Sequence, residues 1–528
     1  MPDTRPSKVA IPLLVVLFLL GRASLSAAPP EQLGKVNFPT TCSSAVEPTI
    51  EKGVALLHSF QYKESEQTFS EAATREPKCA MAHWGKAMAL YHQLWDFPGK
   101  GTLNEGRKQI DEAKKVHSTS AREKGFIAAA AAFFQKKSKM SHADRTKAYS
   151  AALEKFYAEN PGDSEIGSFY ALSLVSLAEQ DVDTAANLQK AISILNPLFG
   201  KFPDHPGVAH YLIHAADRPE LASQGLQAAR RYAAIAPDSS HALHMPSHIF
   251  VRLGLWQDSI TSNLAARSSA AHASEMHMAE SHYQTHAMDF LNYSYLQSGQ
   301  ESKAREVIAD EENVAGAGEE SKSSQVAELS SRTALELHRW AEAAALPIPE
   351  VRLLSREPAY HARAVGKAHL GDGAGARADL EKLKEIWAAE DNEDRKLGYP
   401  VSNEKHLSPV EVWILFAEGN HDEAVKEMRA IADRQDAKGV DSLSIPAREM
   451  LADMLLELKR PADALAEYKV ALKNSPNRFD SLLGAARAAQ ASGDSSAAQT
   501  FYGQLASLCP AAADRPELAE AKTYLARK

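Results

Sequence analysis

From Thr49 onward, the apolar positions recur at helical intervals, and alternating runs of β-branched residues, which are typical of strands, are missing. Short turn signals separate the apolar segments, as at Gly299 after LNYSYLQS and at Gly419 after VWILFAE. The pattern therefore predicts an all-α fold built from helix pairs. At 528 residues, the chain is too long for one compact core, so neighbouring pairs are expected to stack and bury each other's apolar faces.

The turn and packing positions repeat with a period of 34 residues. Near the C-terminus, each position of one repeat recurs 34 residues later (498 − 464 = 34), and the matching positions are Ala464, Tyr468, Ala471 and Pro476, followed by Ala498, Tyr502, Leu505 and Pro510. Near the N-terminus, Gly53, Phe69, Ala72 and Pro77 have similar spacings. A repeat of this length is typical of helix-turn-helix arrays.

In these positions the chain resembles the tetratricopeptide repeat (TPR) family. Ser65 departs from the pattern, because it stands where the family usually has alanine. The resemblance implies a right-handed superhelical solenoid in which the first helix of each pair lines the concave surface. With its segments CAMAHWG, HALHMPSHIF and PAREMLADMLLE, the chain is similar to exported bacterial members of the family.

One acidic, small-residue segment interrupts the repeats. Residues 310–325, DEENVAGAGEESKSSQ, have the composition of a linker. The sequence therefore predicts an N-terminal TPR-like array over 29–309 and a C-terminal array over 326–528. A continuous solenoid is an equal contender.

Histidine is concentrated in one part of the chain. Ten of the 20 histidines lie between 205 and 289. Two pairs spaced i, i+4 occupy equivalent places in adjacent repeats (244 − 210 = 34 and 248 − 214 = 34), and a third pair follows an insertion. The three pairs are His210 with His214, His244 with His248, and His282 with His286.

Two histidines four apart on a helix can bind one metal ion through their imidazole nitrogens. The six paired histidines are therefore candidate metal ligands, and zinc and copper both suit them. On a helical projection they face away from the apolar side, so we expect them to lie outside the core. The polar residues expected to share their faces, and hence to bind ligand, are His241, Arg252, Asp217, Asp289 and Tyr293.

The alternative interpretation is that these histidines cap helices or line a polar groove. Pro246, between His244 and His248, is expected to break the helix and to separate that pair. His83 and His92 lie on a separate aromatic-rich helix and are interpreted as groove or packing residues. No glutamate directly follows the first histidine of a pair as in zinc proteases, and no phosphate loop or nucleophile elbow stands out, so catalysis stays open.

The first 28 residues have the pattern of a secretory signal peptide. Arg5 and Lys8 precede a short apolar core over 9–21, and small residues follow at 24–28. An uncleaved membrane anchor is the alternative. The sequence thus predicts a periplasmic or secreted protein with no stable membrane span after signal removal.

Charge and cysteine content narrow the partners and the compartment. The formal net charge is −9, and removing residues 1–28 makes it −9 − 3 + 1 = −11. Without a dense basic run, nucleic acid is a poor candidate partner. In an oxidising compartment Cys42 and Cys79 are expected to form a disulfide, with two buried thiols as the alternative and Cys509 left over.

Two functions follow from these observations. The first is an exported TPR-like protein that binds a protein, peptide or small ligand on its concave surface. The second is a metal-binding protein, using zinc or copper at the histidine-rich repeats over 205–289, with hydrolysis as one activity it would support.

Overall fold

The structure is a computed structural model that describes residues 31–116, 120–136, 140–275, 281–397, 408–440 and 443–527. The predicted signal peptide lies outside the described residues, as does His277. The residues from Gln32 onward form one compact unit. Among the described residues, no helix is long and apolar enough to cross a membrane.

The described chain is helical from end to end. In the first half the helices are α1 Glu47–His58, α2 Tyr62–Arg75, α3 Ala80–Ala89, α4 Lys100–Lys115, α5 Ala121–Phe133, α6 His142–Glu159, α7 Ser164–Glu179, α8 Thr184–Lys201, α9 Pro206–Ala216, α10 Ala222–Ile235, α11 Ser240–His244, α12 Pro246–Arg252 and α13 Trp256–Glu275. In the second half they are α14 Ser281–Gln297, α15 Glu301–Glu311, α16 Glu319–Glu336, α17 Trp340–Ala344, the 3-10 helix Leu354–Arg356, α18 Glu357–His369, α19 Gly373–Leu397, α20 Pro409–Ala417, α21 His421–Lys438, α22 Ala447–Glu457, α23 Pro461–Asn474, α24 Phe479–Ala491, α25 Ser495–Leu508 and α26 Glu517–Ala526.

Helix pairs joined by short turns repeat along the chain, and close glycine-to-aromatic packing explains the periodic positions. The Phe69 ring on α2 lies where a Cβ of Gly53 or Gly85 would stand, at 2.7 and 2.3 Å. Tyr468 on α23 meets Gly484 in the same way at 2.3 Å, and the offset is the same (85 − 69 = 16 and 484 − 468 = 16). The expected all-α array of TPR-like helix pairs is therefore confirmed.

The elements that carry the paired histidines lie next to each other in this array. Helix α9 begins at Pro206, with the ring of His205 accepting from the Val208 N–H as its N-cap. Pro246 divides α11 from α12, but the intervening Met245 keeps right-handed helical angles (φ −52°, ψ −34°). Because the chain continues in a helical course, Pro246 leaves His244 and His248 on the same side, contrary to the expectation that it would separate them.

A disulfide joins the segment before α1 to the start of α3. The Cys42 and Cys79 sulfurs are bonded, with the Cα atoms 5.1 Å apart. Cys509 is a free thiol whose side chain is half-buried.

The predicted linker over 310–325 overlaps two helices. Its first two residues end α15 at Glu311, and α16 begins at Glu319. The linker assignment is thus too long at both ends, since Glu319 and the polar residues after it continue into an amphipathic helix. The division into two arrays stays a prediction.

Contacts between segments far apart in the sequence add to the neighbour-to-neighbour packing. The Trp256 indole N–H donates to the Asn477 carbonyl across 2.8 Å, and the Asn477 amide donates to the Gly254 carbonyl across 3.2 Å. These partners are 221 and 223 residues apart. In a simple solenoid each repeat touches only its neighbours, so this chain departs from that arrangement where the histidine-bearing repeats meet the C-terminal ones.

Candidate metal centre

A cavity of about 750 Å³ lies where the α1–α2 turn, the segment after α3, and helices α9, α11, α12 and α14 meet. Its wall combines histidines with aromatic rings and a few charged groups, and its lining residues are Phe60, Gln61, Tyr62, Lys63, Glu64, His92, Trp95, Asp96, His214, His241, Met245, His248, His282, Tyr283 and His286. The volume suits a small molecule.

The first histidine triad consists of His210, His214 and His241, whose ligand atoms all lie within 4.8 Å of one another. The Nε2 atom of His210 is 3.0 Å from that of His241 and 3.1 Å from that of His214. Two of the three rings, those of His214 and His241, line the cavity. The triad combines the i, i+4 pair of α9 with a ring from α11.

The second histidine triad consists of His244, His248 and His286, again with ligand atoms within 4.8 Å of one another. The Nε2 atoms of His244 and His248 are 3.0 Å apart, and the His286 ring lies 4.5 Å from the His244 ring. His244 is buried, whereas His286 is exposed to the cavity. The triad combines the predicted pair from α11 and α12 with one ring from α14.

Hydrogen bonds at the opposite ring nitrogens fix the tautomers of two members of the second triad, His244 and His248. The His244 Nδ1 donates to Asn263 Oδ1 across 2.7 Å, and the Asn263 amide nitrogen donates to the Ser259 carbonyl, so its oxygen must be the acceptor. The His248 Nδ1 donates to the Asp217 carboxylate across 2.8 Å. Both Nε2 atoms therefore carry lone pairs.

Two lone pairs that face each other at 3.0 Å repel unless a cation lies between them. A proton or a metal ion would remove the repulsion. Burial, together with the nearby His286 and His248, lowers the pKa of His244 well below its ordinary value, which disfavours a proton on that ring. A proton on His248 that is donated to His244, and a metal ion held by both rings, each fit this geometry.

In the first triad, hydrogen bonds fix the tautomer of His210 alone. The His210 Nδ1 donates to the His58 carbonyl across 2.6 Å, so its Nε2 is also a lone pair. Here an N–H on His241 or His214 can satisfy that lone pair, because no hydrogen bond among the described residues fixes the Nδ1 atoms of those two rings as donors. The same three nitrogens can either bond to each other or hold an ion.

The Asp217 carboxylate binds the ring nitrogen of His248 that faces away from His244. One oxygen accepts from His248, and the other accepts from the Arg252 guanidinium across 2.8 Å. Although burial opposes ionisation, Arg252 and His248 hold the pKa of Asp217 well below its usual range. A carboxylate that accepts from the far nitrogen of a histidine is the usual second contact of a metal-bound imidazole.

The surroundings of His214 and His286 favour the neutral form of both rings. Burial and the nearby His248 lower the pKa of His214 to about 3. Close packing by the surrounding protein, and again His248, lower the pKa of His286 to about 4. Neutral imidazole is the form that binds metal ions, so these rings remain competent ligands at mildly acidic pH.

A third cluster, His58, Glu165 and His205, lies in the core next to the first triad. The two carboxylate oxygens accept from His58 and His205, each across 2.8 Å. The remaining His58 nitrogen lies 3.0 Å from the Tyr211 hydroxyl, and that of His205 accepts from the Val208 N–H. Since every ring nitrogen has a hydrogen-bond partner, this cluster is a structural network.

The expectation that the paired histidines lie outside the core is wrong for two of the six, whereas His214 and His248 are half-buried and His282 and His286 are exposed. His210 is fully buried and His244 is 2 % exposed. The helical projection failed because α9, α11 and α12 are packed on both sides, so their polar face meets other helices instead of solvent. His282 is exposed on the cavity wall and lies outside both triads.

Two of the predicted ligand-binding residues are engaged elsewhere. The Asp289 carboxylate pairs with Arg332. The buried Tyr293 hydroxyl accepts from Arg478, which also pairs with Glu336 and Glu449. Helix α14 contacts different partners at its two ends. Its first turns line the cavity, whereas Asp289 and Tyr293 lie further along the helix and pair with arginines.

Several cavity residues were missed by sequence reasoning. Phe60, Tyr62 and Trp95 lie about 110 residues or more before the paired histidines in the sequence, so no local pattern links them to the site. His92 does belong to the groove, where its ring stacks on Tyr62 with centroids 4.3 Å apart. Asn263 belongs to no sequence motif, and only its hydrogen bond with His244 shows that it contributes to the site.

No family model matches this chain, and no curated protein matches it. Among solved structures it is similar to a human IFIT1 dimer with PPP-AAAA, at 12% identity over 86% of this chain and 89% of that chain, with a TM-score of 0.32. It is also similar to Naa15/Naa10 bound to HypK-THB, at 13% identity over 91% of each chain and a TM-score of 0.26. The TPR domain of P58(IPK) is similar as well, at 11% identity over 92% of this chain and 99% of that chain, with a TM-score of 0.21.

Proposed function

We propose that this protein binds divalent transition-metal ions, zinc or copper, at the two histidine triads and presents them to a small ligand in the cavity. The contact between His244 and His248 carries the proposal, because two lone pairs at 3.0 Å call for a cation between them. Imidazole nitrogens suit both metals.

The separation of the nitrogens supports an ion in each triad. For an ion at about 2.0–2.1 Å from each imidazole nitrogen, two ligands stand roughly 3.0–3.4 Å apart. The Nε2 distances of 3.0 and 3.1 Å within the triads lie in this range. Three protein ligands leave a coordination position open, as in sites that bind an exogenous ligand.

The size of the cavity supports a small molecule as the ligand, among the protein, peptide and small-molecule partners that a helical-repeat surface allows. A cavity of about 750 Å³ holds a drug-sized molecule but not a folded partner. We further propose that the protein acts in the periplasm or outside the cell, where the Cys42–Cys79 disulfide is stable.

Metal analysis tests the proposal. The purified chain is stripped with a chelator, loaded with zinc or copper, desalted and analysed for metal. We expect two ions per chain in the parent, and the loss of one in H244A/H248A and of the other in H210A/H214A.

The matched control is H361A/H421A, which changes two histidines outside the cavity and should retain both ions. Circular dichroism confirms that each variant is folded. A folded parent that retains no stoichiometric zinc or copper after metal-replete loading would overturn the proposal.

A further inference from the structure

The aromatic rings around the triads point to the chemistry of the ligand. The Phe60 ring lies 5.5 Å from the His214 ring and 5.6 Å from the His241 ring. The Tyr283 ring lies 5.6 Å from His241 on another side. Aromatic surface therefore continues directly from the candidate metal ligands into the cavity wall.

Trp95 extends this surface to the cavity mouth. Its ring meets Phe60 edge-on at 5.5 Å and lies 6.0 Å from the His214 ring. The side chain is 43% exposed, which is unusual for tryptophan in a folded chain. An exposed indole on the wall of a cavity is a surface on which a flat ring can stack.

The side-chain amide oxygen of Gln61, on the same wall, lacks a hydrogen-bond donor among the described residues. The Gln61 side chain is 5% exposed, and its Oε1 is buried without a hydrogen-bond partner among the described residues. A buried polar atom destabilises the fold when it stays unpaired. A ligand hydroxyl in the cavity would supply the missing donor after a small side-chain adjustment.

The two triads lie close enough for one ligand to reach both ions. The His214 and His248 rings, one from each triad, have centroids 6.4 Å apart, and the His241 and His244 rings are also 6.4 Å apart. Two ions about 3.5–4 Å apart can hold two oxygen atoms of one ligand, and the ring distances place the two triads side by side on the cavity wall.

Building on the proposed function, we infer that the cavity binds a phenolic compound, a catechol in particular, with its ring against Trp95 and Phe60 and its oxygens on the metal ions. The aromatic ring of the ligand would stack on the aromatic side chains of the cavity wall. Adjacent oxygens on one ring supply two donors to neighbouring ions. One oxygen binds as a phenolate after its proton passes to solvent, and the other keeps its proton and donates it to the Gln61 Oε1 atom. The metal ions neutralise the single negative charge that the ligand gains when that proton leaves.

The probe is 4-nitrocatechol, whose absorption shifts when its oxygens bind a metal ion. It is titrated into the zinc-loaded, full-length chain, and the metal content of every sample is measured in parallel. We expect saturable binding at one probe per chain. Trp95→Ala should bind at least tenfold more weakly with its metal content unchanged, whereas the control Leu370→Ala, which removes another exposed apolar side chain, should bind like the parent.

Two further samples separate the ring from the oxygens. Nitrobenzene, which has the ring without oxygen donors, and trans-1,2-cyclohexanediol, which has the oxygens without the aromatic ring, should each compete poorly. A metal-loaded parent that does not bind 4-nitrocatechol would overturn this inference and leave the proposed function intact. Equal binding to the metal-free chain would overturn it as well, whereas a parent without metal would defeat the proposed function itself.

Discussion

At the scale of single residues, Asp217 decides how firmly the second triad can hold an ion. Its carboxylate orients His248 and increases the basicity of that ring through the bond at Nδ1. Arg252 holds the carboxylate from the other side. The metal affinity of the second triad should therefore depend on Asp217, although this residue does not line the cavity.

Asp217→Asn keeps the size of the side chain but removes its charge. We expect zinc affinity at the second triad to fall about 10- to 100-fold, which is the usual effect of losing the partner of a metal-bound histidine. Competition with a chromophoric chelator measures this affinity. Arg252→Gln is the matched control, because it removes the other partner of Asp217 and leaves His248 bonded. If both variants lost affinity equally, the effect would lie in the Asp217–Arg252 pair and not in the His248 contact.

The sequence predicted the identity of most triad members but not their environment. Spacing on a helix and the 34-residue offset select His210, His214, His244 and His248, because both are local patterns. That His241 joins the first triad and His286 the second depends on how α11 and α14 pack. The tautomers follow from Asn263 and Asp217, which contact the rings only after folding.

At the scale of helices, close approach of glycine to an aromatic ring sets the distance between consecutive pairs. Phe69 occupies the space above Gly85 so closely that a Cβ there would lie 2.3 Å from the ring. The ring is fully buried and has α1 and α3 on its two sides, so it cannot move away without disturbing one of them.

Gly85→Ala should therefore destabilise the chain although alanine is the better helix former. We expect the free energy of unfolding to fall by about 1–3 kcal/mol, the usual range for overpacking a core. Gly503→Ala is the control, since nothing lies within 4 Å of the added methyl group; there the change should stabilise helix α25 by about 0.5–1 kcal/mol. Urea denaturation measures both. Equal effects of the two substitutions would show that the contact with Phe69 does not limit the packing.

Helix boundaries follow the sequence where a turn residue marks them and fail where composition is the only guide. Gly299 and Gly419 stand in turns with positive φ, as the pattern predicts. The acidic run before Gln325 was interpreted as linker because it is polar, yet from Glu319 it forms the start of α16. Polar composition alone does not distinguish a solvated helix face from a loop.

At the scale of the whole molecule, contacts between distant repeats fix the surroundings of the cavity. Arg478, which is 1% exposed, pairs with Glu336 and Glu449, and it donates to Tyr293 on α14. Helix α14 also carries His286 and Tyr283 into the cavity wall. The C-terminal repeats thus hold the helix that completes the second triad, a role that no repeat-by-repeat interpretation of the sequence predicts.

The buried histidines should also make the metal-free protein sensitive to acid. Burial is the main cause that lowers the pKa of four of them: to about 3 for His214, and well below the ordinary value of 6.5 for His210, His241 and His244. As the pH falls below 6.5, the unfolded chain takes up protons on these rings and the folded chain does not. The free energy of unfolding must therefore fall between about pH 6.5 and 4, by up to about 1.4 kcal/mol per pH unit for each ring.

Several carboxyls work in the opposite direction, because burial raises the pKa of Glu179, Glu311 and Glu336. Burial raises the pKa of Asp453 to about 7, so the folded chain binds that proton first and offsets about one histidine over the same range. The net slope should still follow the histidines, because burial also lowers the pKa of His58, His142 and His369. Urea midpoints in the presence of a chelator, at pH 7.5, 6.5, 5.5 and 4.5, measure this slope, and His214→Gln should reduce it by about one proton. A stability that stayed constant from pH 7.5 to 4.5 would mean that the rings become protonated in the folded chain, and the neutral triads that metal binding requires would then not persist at acidic pH.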